Sequence, residues 1–142
     1  MSDMEKWSIN ETLLQSYRSI FVPSQSFLLA VGAIVSGRNS LVLYTTAAIS
    51  LVMIWIIWFP VVRSRHRIVD YYKYGVMLSE TARSELCTEK EYVHDDKLRK
   101  KANMLFGIDS NWRSTRKKLD LLTPLLVTSL WVVLIVNEAC NV

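Results

Sequence analysis

This sequence has little of what catalytic and metal-binding proteins depend on. Its four glycines are not clustered, so it contains no glycine-rich loop for phosphate groups. Only two histidines are present, and neither has a second histidine or a cysteine at ligand spacing. We therefore interpret His94-Asp95-Asp96 as a solvated helix surface, and we expect His66 to face lipid headgroups rather than to act as a base. We predict that the chain is not an enzyme and that it holds no metal and no cofactor.

Cysteine is equally scarce. The two cysteines, Cys87 and Cys140, fall on opposite sides of a membrane in the topology derived below, so they cannot pair within one chain. Neither has the neighbours of a nucleophile. We expect Cys140 to be an inert thiol, and the alternative is a cross-link to a second copy.

Charged residues are missing from long stretches of the chain, although they make up 21% of it. Of the 17 Lys and Arg, 14 lie between Arg63 and Lys118, together with 8 of the 13 acidic residues. A soluble core does not require this segregation. A bilayer does, because a charged side chain at mid-membrane costs roughly 2.5–3.5 kcal/mol on insertion scales. The layout predicts an integral membrane protein.

Three apolar runs are candidates for membrane spans. Leu41–Val62 has 22 residues without a charge, and a bilayer core of about 30 Å needs about 20 helical residues. The third span along the chain covers residues 119–137. The shortest run, Ile20–Val35, is joined to the strongest one by the turn-forming residues Ser36–Ser40, which predicts a tight helical hairpin. For Ile20–Val35 a re-entrant segment is the alternative.

The resulting fold class is an all-α integral membrane protein with three transmembrane helices and a helical cytoplasmic block between the second and third. Short loops rich in Lys and Arg stay in the cytoplasm, so the N-terminus is predicted inside and the C-terminus outside a bacterial inner membrane. The predicted divisions are an amphipathic cytoplasmic segment at 1–19, a transmembrane hairpin at 20–62, a cytoplasmic helical region at 63–118, a third transmembrane helix at 119–137 and an external tail at 138–142.

The cytoplasmic block shows helical patterns. Tyr71, Tyr72 and Gly75 follow Ile68 at spacings of three and four, so the second span is expected to continue out of the membrane, with a kink at Pro60. Thr88-Glu89-Lys90-Glu91 has the pattern of a capping box, with Thr88 as N-cap. The helix that it starts is expected to end near Gly107, before a turn at Asp109-Ser110-Asn111.

Small and polar residues within the spans predict helix packing. Gly32 and Ser36, and likewise Ala33 and Gly37, stand four residues apart, a spacing that lets helix backbones approach closely. Gln25, Thr128 and Ser129 are polar enough to need partners away from lipid. Packing within one hairpin accounts for most of this pattern, and self-association would account for the rest. Asp120, beside Lys117 and Lys118, is expected to form a local salt bridge.

Two basic clusters flank the cytoplasmic block where it meets the membrane. They attract anionic lipid and set the topology, and in an oligomer they would form a ring for an acidic ligand or a soluble partner protein. Nucleic acid is expected to bind only through such a partner. The residues are Arg63, Arg65, Arg67, Arg113, Arg116, Lys117 and Lys118.

The layout resembles the small membrane effectors of bacterial antiviral defence, of which the SLATT-type modules are one. The matching elements are the Leu41–Val62 span followed by Arg63-Ser64-Arg65-His66-Arg67, and Trp112-Arg113 leading to Arg116-Lys117-Lys118-Leu119-Asp120. The third span departs from a two-span module. The resemblance implies a protein that disrupts membranes or forms pores when a partner senses infection. The sequence thus predicts a homo-oligomeric membrane effector, and the alternative is an anchor that holds a soluble partner at the membrane.

Overall fold

The computed structural model describes residues 1–105 and 115–140, except for the side chain of Arg116. The described residues form helices and no strand. The turn predicted at Asp109-Ser110-Asn111 and the helix end at Gly107 lie outside them. The elements are α1 (Asp3–Val35), α2 (Ser40–Val52), a π-helical segment (Met53–Trp58), α3 (Phe59–Met77), α4 (Glu80–Leu86), α5 (Glu89–His94), α6 (Asp96–Leu105) and α7 (Thr115–Cys140).

Three helices are long and apolar enough to cross a membrane. They are Asp3–Val35, Ser40–Met77 and Lys117–Cys140, which confirms the all-helical class and the number of candidate spans by length and composition. Two of the predicted boundaries, at 19/20 and at 137/138, fall inside helices. The first helix runs unbroken from Asp3 through residues 19 and 20, and the last one continues past residue 137 to Cys140.

The second long helix continues past Pro60 as predicted, and its irregularity lies just before that proline. Met53–Trp58 form a π-helical segment, in which the N–H of Phe59 donates to the carbonyl of Ile54 five residues earlier. A proline ring clashes with the carbonyl four residues before it, and the wider π turn gives that carbonyl room. The π-helical segment therefore lets the helix continue through Pro60 without ending there.

A tight turn joins α1 to α2. Gly37 has φ of 74°, a left-handed conformation that glycine adopts without steric cost. Asn39 then acts as the N-cap of α2, because its side-chain oxygen accepts a hydrogen bond from the N–H of Val42 at 3.2 Å. The turn predicted between the first two apolar runs is present.

The chain divides into two compact units. We call the first the tyrosine unit; it comprises the described residues of Met1–Ser16 and Val62–Lys118. We call the second the span unit; it comprises the described residues of Tyr17–Val61 and Leu119–Val142. The long helices α1, α3 and α7 contribute residues to both units.

Tyrosines form the core of the tyrosine unit, and their hydroxyls have hydrogen-bond partners. Tyr71 donates to the carbonyl of Cys87 at 2.8 Å. Tyr74 and Tyr92 both donate to Oδ1 of Asn103, at 3.1 and 2.9 Å. A buried phenol with a bonded hydroxyl contributes a large apolar area without leaving a polar atom unpaired. The core members are Tyr71, Tyr72, Tyr74, Cys87, Tyr92 and Ala102.

Helix α5 begins as predicted. The Thr88 hydroxyl accepts from the N–H of Glu91, and the Glu91 carboxylate accepts from the N–H of Thr88 at 2.8 Å, which completes the capping box. The prediction of one helix from Thr88 onward is wrong, because the backbone is extended at Asp95. The Asp95 carboxylate accepts from the N–H groups of Lys97 and Leu98, so it caps a separate helix, α6.

The two histidines have different surroundings. His94 is exposed beside Asp95 and Asp96, in agreement with a solvated surface. His66 is only 5% exposed within the tyrosine unit, so the expectation that it faces lipid headgroups is wrong. Across the described ranges, no group of three or more His, Cys, Asp or Glu is placed to hold a metal ion.

Candidate functional site

The span unit buries several polar side chains and exposes many large apolar ones. Three clusters of buried polar contacts lie among α1, α2 and α7, whereas large apolar residues such as Phe27 and Val133 are 68% and 64% exposed. In hydrocarbon an unsatisfied polar group costs several kcal/mol, because no water is available to replace a missing partner. Ionisable residues inside a membrane are therefore candidates for function. These three clusters form the candidate site.

The ion-pair cluster consists of Arg18 and Asp120. Nε of Arg18 donates to both carboxylate oxygens of Asp120 at 2.9 Å, and Nη2 makes a further charge-assisted bond to Oδ2. The two side chains are 15% and 10% exposed. The contact joins the residue two positions before the Ile20–Val35 run to the residue just before the Leu121–Val136 run. Arg18 was missing from the sequence prediction for Asp120, which considered only Lys117 and Lys118.

The glutamine cluster consists of Gln25, Ser50 and Trp131. The Ser50 hydroxyl donates to Oε1 of Gln25 at 2.5 Å, and Nε1 of Trp131 donates to the Ser50 oxygen at 2.8 Å. Their exposed fractions are 3%, 0% and 0%. Gln25 therefore has the partner away from lipid that the sequence required of it. Its Nε2 has no hydrogen-bond partner among the described residues.

The turn cluster consists of Glu138, Ser36, Gly37 and Ser40. The Glu138 carboxylate accepts from the Ser36 hydroxyl at 3.2 Å, the Gly37 N–H at 2.5 Å and the Ser40 hydroxyl at 2.9 Å. Glu138 is 3% exposed. The sequence placed it in an external tail, but in the structure it joins the end of α7 to the α1–α2 turn.

Aromatic contacts accompany these clusters. Phe21 and Trp58 stack with ring centroids 4.1 Å apart and planes 9° apart. Nε1 of Trp55 donates to the Thr128 hydroxyl at 3.0 Å, which gives Thr128 the partner that the sequence required. Ser129 donates to the carbonyl of Leu126 within its own helix.

The small residues predicted to pack helices occupy unlike positions. A Cβ atom at Gly32 would lie 2.6 Å from Cη2 and Cζ3 of Trp131, so this glycine makes room for the indole of the same chain. Ser36 contacts Glu138, and Gly37 lies in the turn with positive φ. Ala33 is exposed. The four residues do not share one face, and the two that pack do so within the chain, so self-association stays a prediction.

Several residues of the predicted basic ring have partners within the tyrosine unit. Arg65 donates to Oδ1 of Asn10 at 3.1 Å, and Arg67 donates to the carbonyl of Val93 at 2.6 Å. Lys117 pairs with Asp70. Arg63 and Lys118 are exposed. Arg113 lies outside the described residues, as does the side chain of Arg116.

Cys87 is unsuited to nucleophilic chemistry. It is 6% exposed, and burial is the main cause that raises the pKa of its thiol, with a smaller effect from the Glu91 carboxylate. A raised pKa lowers the thiolate fraction, and the thiolate is the reactive form. Cys140 is exposed, and both cysteines are free.

The residues that sequence reasoning missed are Arg18, Glu138, and Ser50 with Trp131 as the partners of Gln25. The available signal was weak: Arg18 and Glu138 are single charges at the edges of long apolar runs. An ionisable residue that lies within a membrane segment commonly pairs with another polar group. Nothing in the sequence indicates which other residue it pairs with.

No protein-family model matches the chain, and comparisons with curated proteins and with solved structures return no match. The resemblance to SLATT-type modules stays a prediction.

Proposed function

We propose that this chain is an integral protein of the bacterial inner membrane that acts as a non-enzymatic effector, closed at rest and able to perturb the membrane when it rearranges with further copies. One observation supports this proposal above others. Each of the three polar clusters joins residues from different helices of the span unit, so the buried polar side chains of these helices bond across the bundle rather than within one helix.

The physical argument is one of partner exchange. While the three helices stay together, Arg18, Gln25 and Glu138 satisfy their polar atoms mainly within the chain. If the helices separate in a bilayer, these groups need new partners, and lipid tails offer none. Water and the same polar groups on other copies of the chain can act as these partners. Helices that already have an apolar outer face would then line an aqueous path with their polar faces.

In this proposal the tyrosine unit controls the rearrangement of the membrane helices. With the N-terminus and residues 63–118 in the cytoplasm, an acidic ligand or protein would compete for the basic residues at the membrane junctions. The Lys117–Asp70 pair supports this assignment, because an acidic regulator can displace Asp70 from Lys117. The exposed Arg63 and Lys118 would add attraction.

A permeability assay tests the proposal. The chain and its variants would be produced from an inducible promoter, and membrane potential would be followed with a dye beside a membrane-fraction blot. Asp120→Asn and Gln25→Leu remove polar partners and are expected to increase depolarisation relative to the parent chain. Ser129→Ala is the matched control, since the Ser129 hydroxyl bonds only within its own helix turn. Inserted variants that leave the potential at the parent level contradict the effector function.

The anchor function is favoured by one specific observation. The tyrosine unit exposes apolar side chains at the end of α3 and in the turn after it, with Val76 at 40%, Met77 at 56% and Leu78 at 52%. Exposed apolar residues close together mark protein contact sites. A photo-crosslinking residue in place of Leu78 should capture one soluble protein if the chain is an anchor. Depolarisation by the chain alone would argue against this second function.

A further inference from the structure

Helix α6 exposes a face that combines lysine with an apolar side chain. Lys97, Lys100, Lys101 and Met104 follow one another at spacings of three, one and three, which places them on one side of a helix. All three lysines are exposed, and Met104 is 82% exposed, the highest value among the large apolar residues described. We call these four residues the lysine face.

The orientation of this face is fixed by the contacts on the other side of α6. Ala102 is 2% exposed in the tyrosine core, and Leu98 packs against that core. Asn103 accepts hydrogen bonds from two tyrosine hydroxyls, and Arg99 donates to the carbonyls of Tyr92 and Val93 at 3.3 Å. Rotating α6 to bury Met104 would break these contacts, so the exposure of Met104 follows from the packing of the unit.

The two carboxylates at the start of α6 are engaged elsewhere. Asp95 caps α6 through the N–H groups of Lys97 and Leu98. Asp96 pairs with Arg99 and Arg67, and the hydrogen bond from Arg99 is the main cause that lowers the pKa of Asp96. Asp96 therefore stays ionised and compensates the two arginines. The charge of the lysine face is left available to an external anion.

We propose that the lysine face docks on the anionic phospholipid headgroups of the bilayer in which the chain is inserted, with Met104 entering the interfacial layer. The charges are complementary, and a lysine near an anionic bilayer surface strengthens binding about fivefold. An apolar side chain among lysines adds burial in the acyl boundary. Nine residues lie between Leu105 and Thr115, so the ten steps along the chain tether α6 within roughly 35 Å of α7.

This inference rests on the proposed membrane insertion but not on the permeability of the bundle. Its consequence is that the anionic lipid content of the bilayer decides whether α6 lies against the membrane surface. A protein that conducts nothing could still dock in this way.

The test uses the full chain in nanodiscs. An environment-sensitive fluorophore is attached through Met104→Cys in a Cys140→Ser background, where Cys87 stays buried. Discs contain phosphatidylcholine alone or with phosphatidylglycerol. We expect a blue shift of the emission only in the anionic discs, and its loss at high salt. Circular dichroism confirms that each labelled variant is helical.

Two variants complete the test. Replacing Lys97, Lys100 and Lys101 by Gln should abolish the shift, whereas Lys90→Gln, an exposed lysine on the neighbouring helix, should leave it intact. A shift that survives the triple replacement, or an inserted chain whose label gives the same emission in both discs, overturns the docking. A chain that does not elute with the discs overturns the proposed function as well, so the two failures are distinguishable.

Discussion

The two units are both built from helices, but they differ in which side chains they bury and which they expose. In the tyrosine unit most charged residues lie on the outside and phenol rings fill the inside, together with one buried ion pair between Asp3 and Arg83. In the span unit the outside is apolar, and an ion pair, an amide and a carboxylate lie inside. This is the difference expected if the tyrosine unit meets water and the span unit meets lipid. Water accepts any exposed polar group, whereas lipid accepts none, so a unit placed in a bilayer must pair its ionisable groups internally.

Breaking the ion-pair cluster should have the largest effect. Asp120→Ala removes the carboxylate that pairs with the largely buried Arg18 guanidinium, and the loss of one partner of a buried pair costs up to about 3–5 kcal/mol. Thermal unfolding in detergent would measure the change. The exchange of both residues, Arg18→Asp with Asp120→Arg, should recover part of the loss. Equal stability of Asp120→Ala and the parent chain would mean that the span unit does not depend on internal pairing.

Gly32→Leu tests whether the glycine packs within the chain. The new side chain would overlap the Trp131 ring and displace its indole from Ser50, for a loss of about 1–3 kcal/mol. Ala33→Leu is the matched control on the exposed neighbour and should be nearly neutral. Unfolding in detergent and size-exclusion chromatography would be run together. A change in oligomer size without a loss of stability would instead favour packing between copies.

In the tyrosine unit, Gly75→Ala should perturb the contact between the N-terminus and α4. A Cβ atom there would lie 1.7 Å from Oδ2 of Asp3, whose carboxylate pairs with Arg83 at 2.8 Å. We expect a loss of about 1–3 kcal/mol, because the Asp3 side chain must move away and the Arg83 guanidinium loses its partner. The loss should be smaller when Asp3→Ala is already present, and a double-mutant cycle measures this coupling. Additive losses would contradict the contact.

The smallest effect is expected at the capping box of α5. Thr88→Ala should cost about 1 kcal/mol, because the N–H of Glu91 loses its acceptor. Hydrogen bonds from the Thr88 backbone and then its side chain lower the pKa of Glu91 in the folded state. The Glu91 carboxylate therefore stabilises the fold at pH values above its pKa in the unfolded chain. This stabilisation is lost as the pH falls through its lower pKa in the folded chain. The free energies of unfolding of Glu91→Gln and of the parent chain should converge as the pH is lowered. A difference in this free energy that stays constant across acidic pH would contradict the linkage.

The sequence by itself determined the helical class and the three candidate spans. Runs such as Leu41–Val62 are decided by local composition, since a stretch of 22 uncharged residues has few other stable environments. The capping box at Thr88 and the turn at Gly37 were also readable, because caps and turns depend on residues within a few positions of one another. These features need no knowledge of what lies across the fold.

Tertiary structure decided the pairing and the orientation of side chains. Arg18 meets Asp120 across 102 positions, and Glu138 reaches Gly37 across 101, distances at which no periodic pattern operates. His66 could be assigned to either environment from sequence, because a histidine between two arginines is compatible with both a headgroup layer and a buried helix face. Which helix face is buried depends on the neighbours that pack against it, and those neighbours are set by the whole chain at once. The polar interior of the span unit is therefore a property of the assembled helices and of no single one.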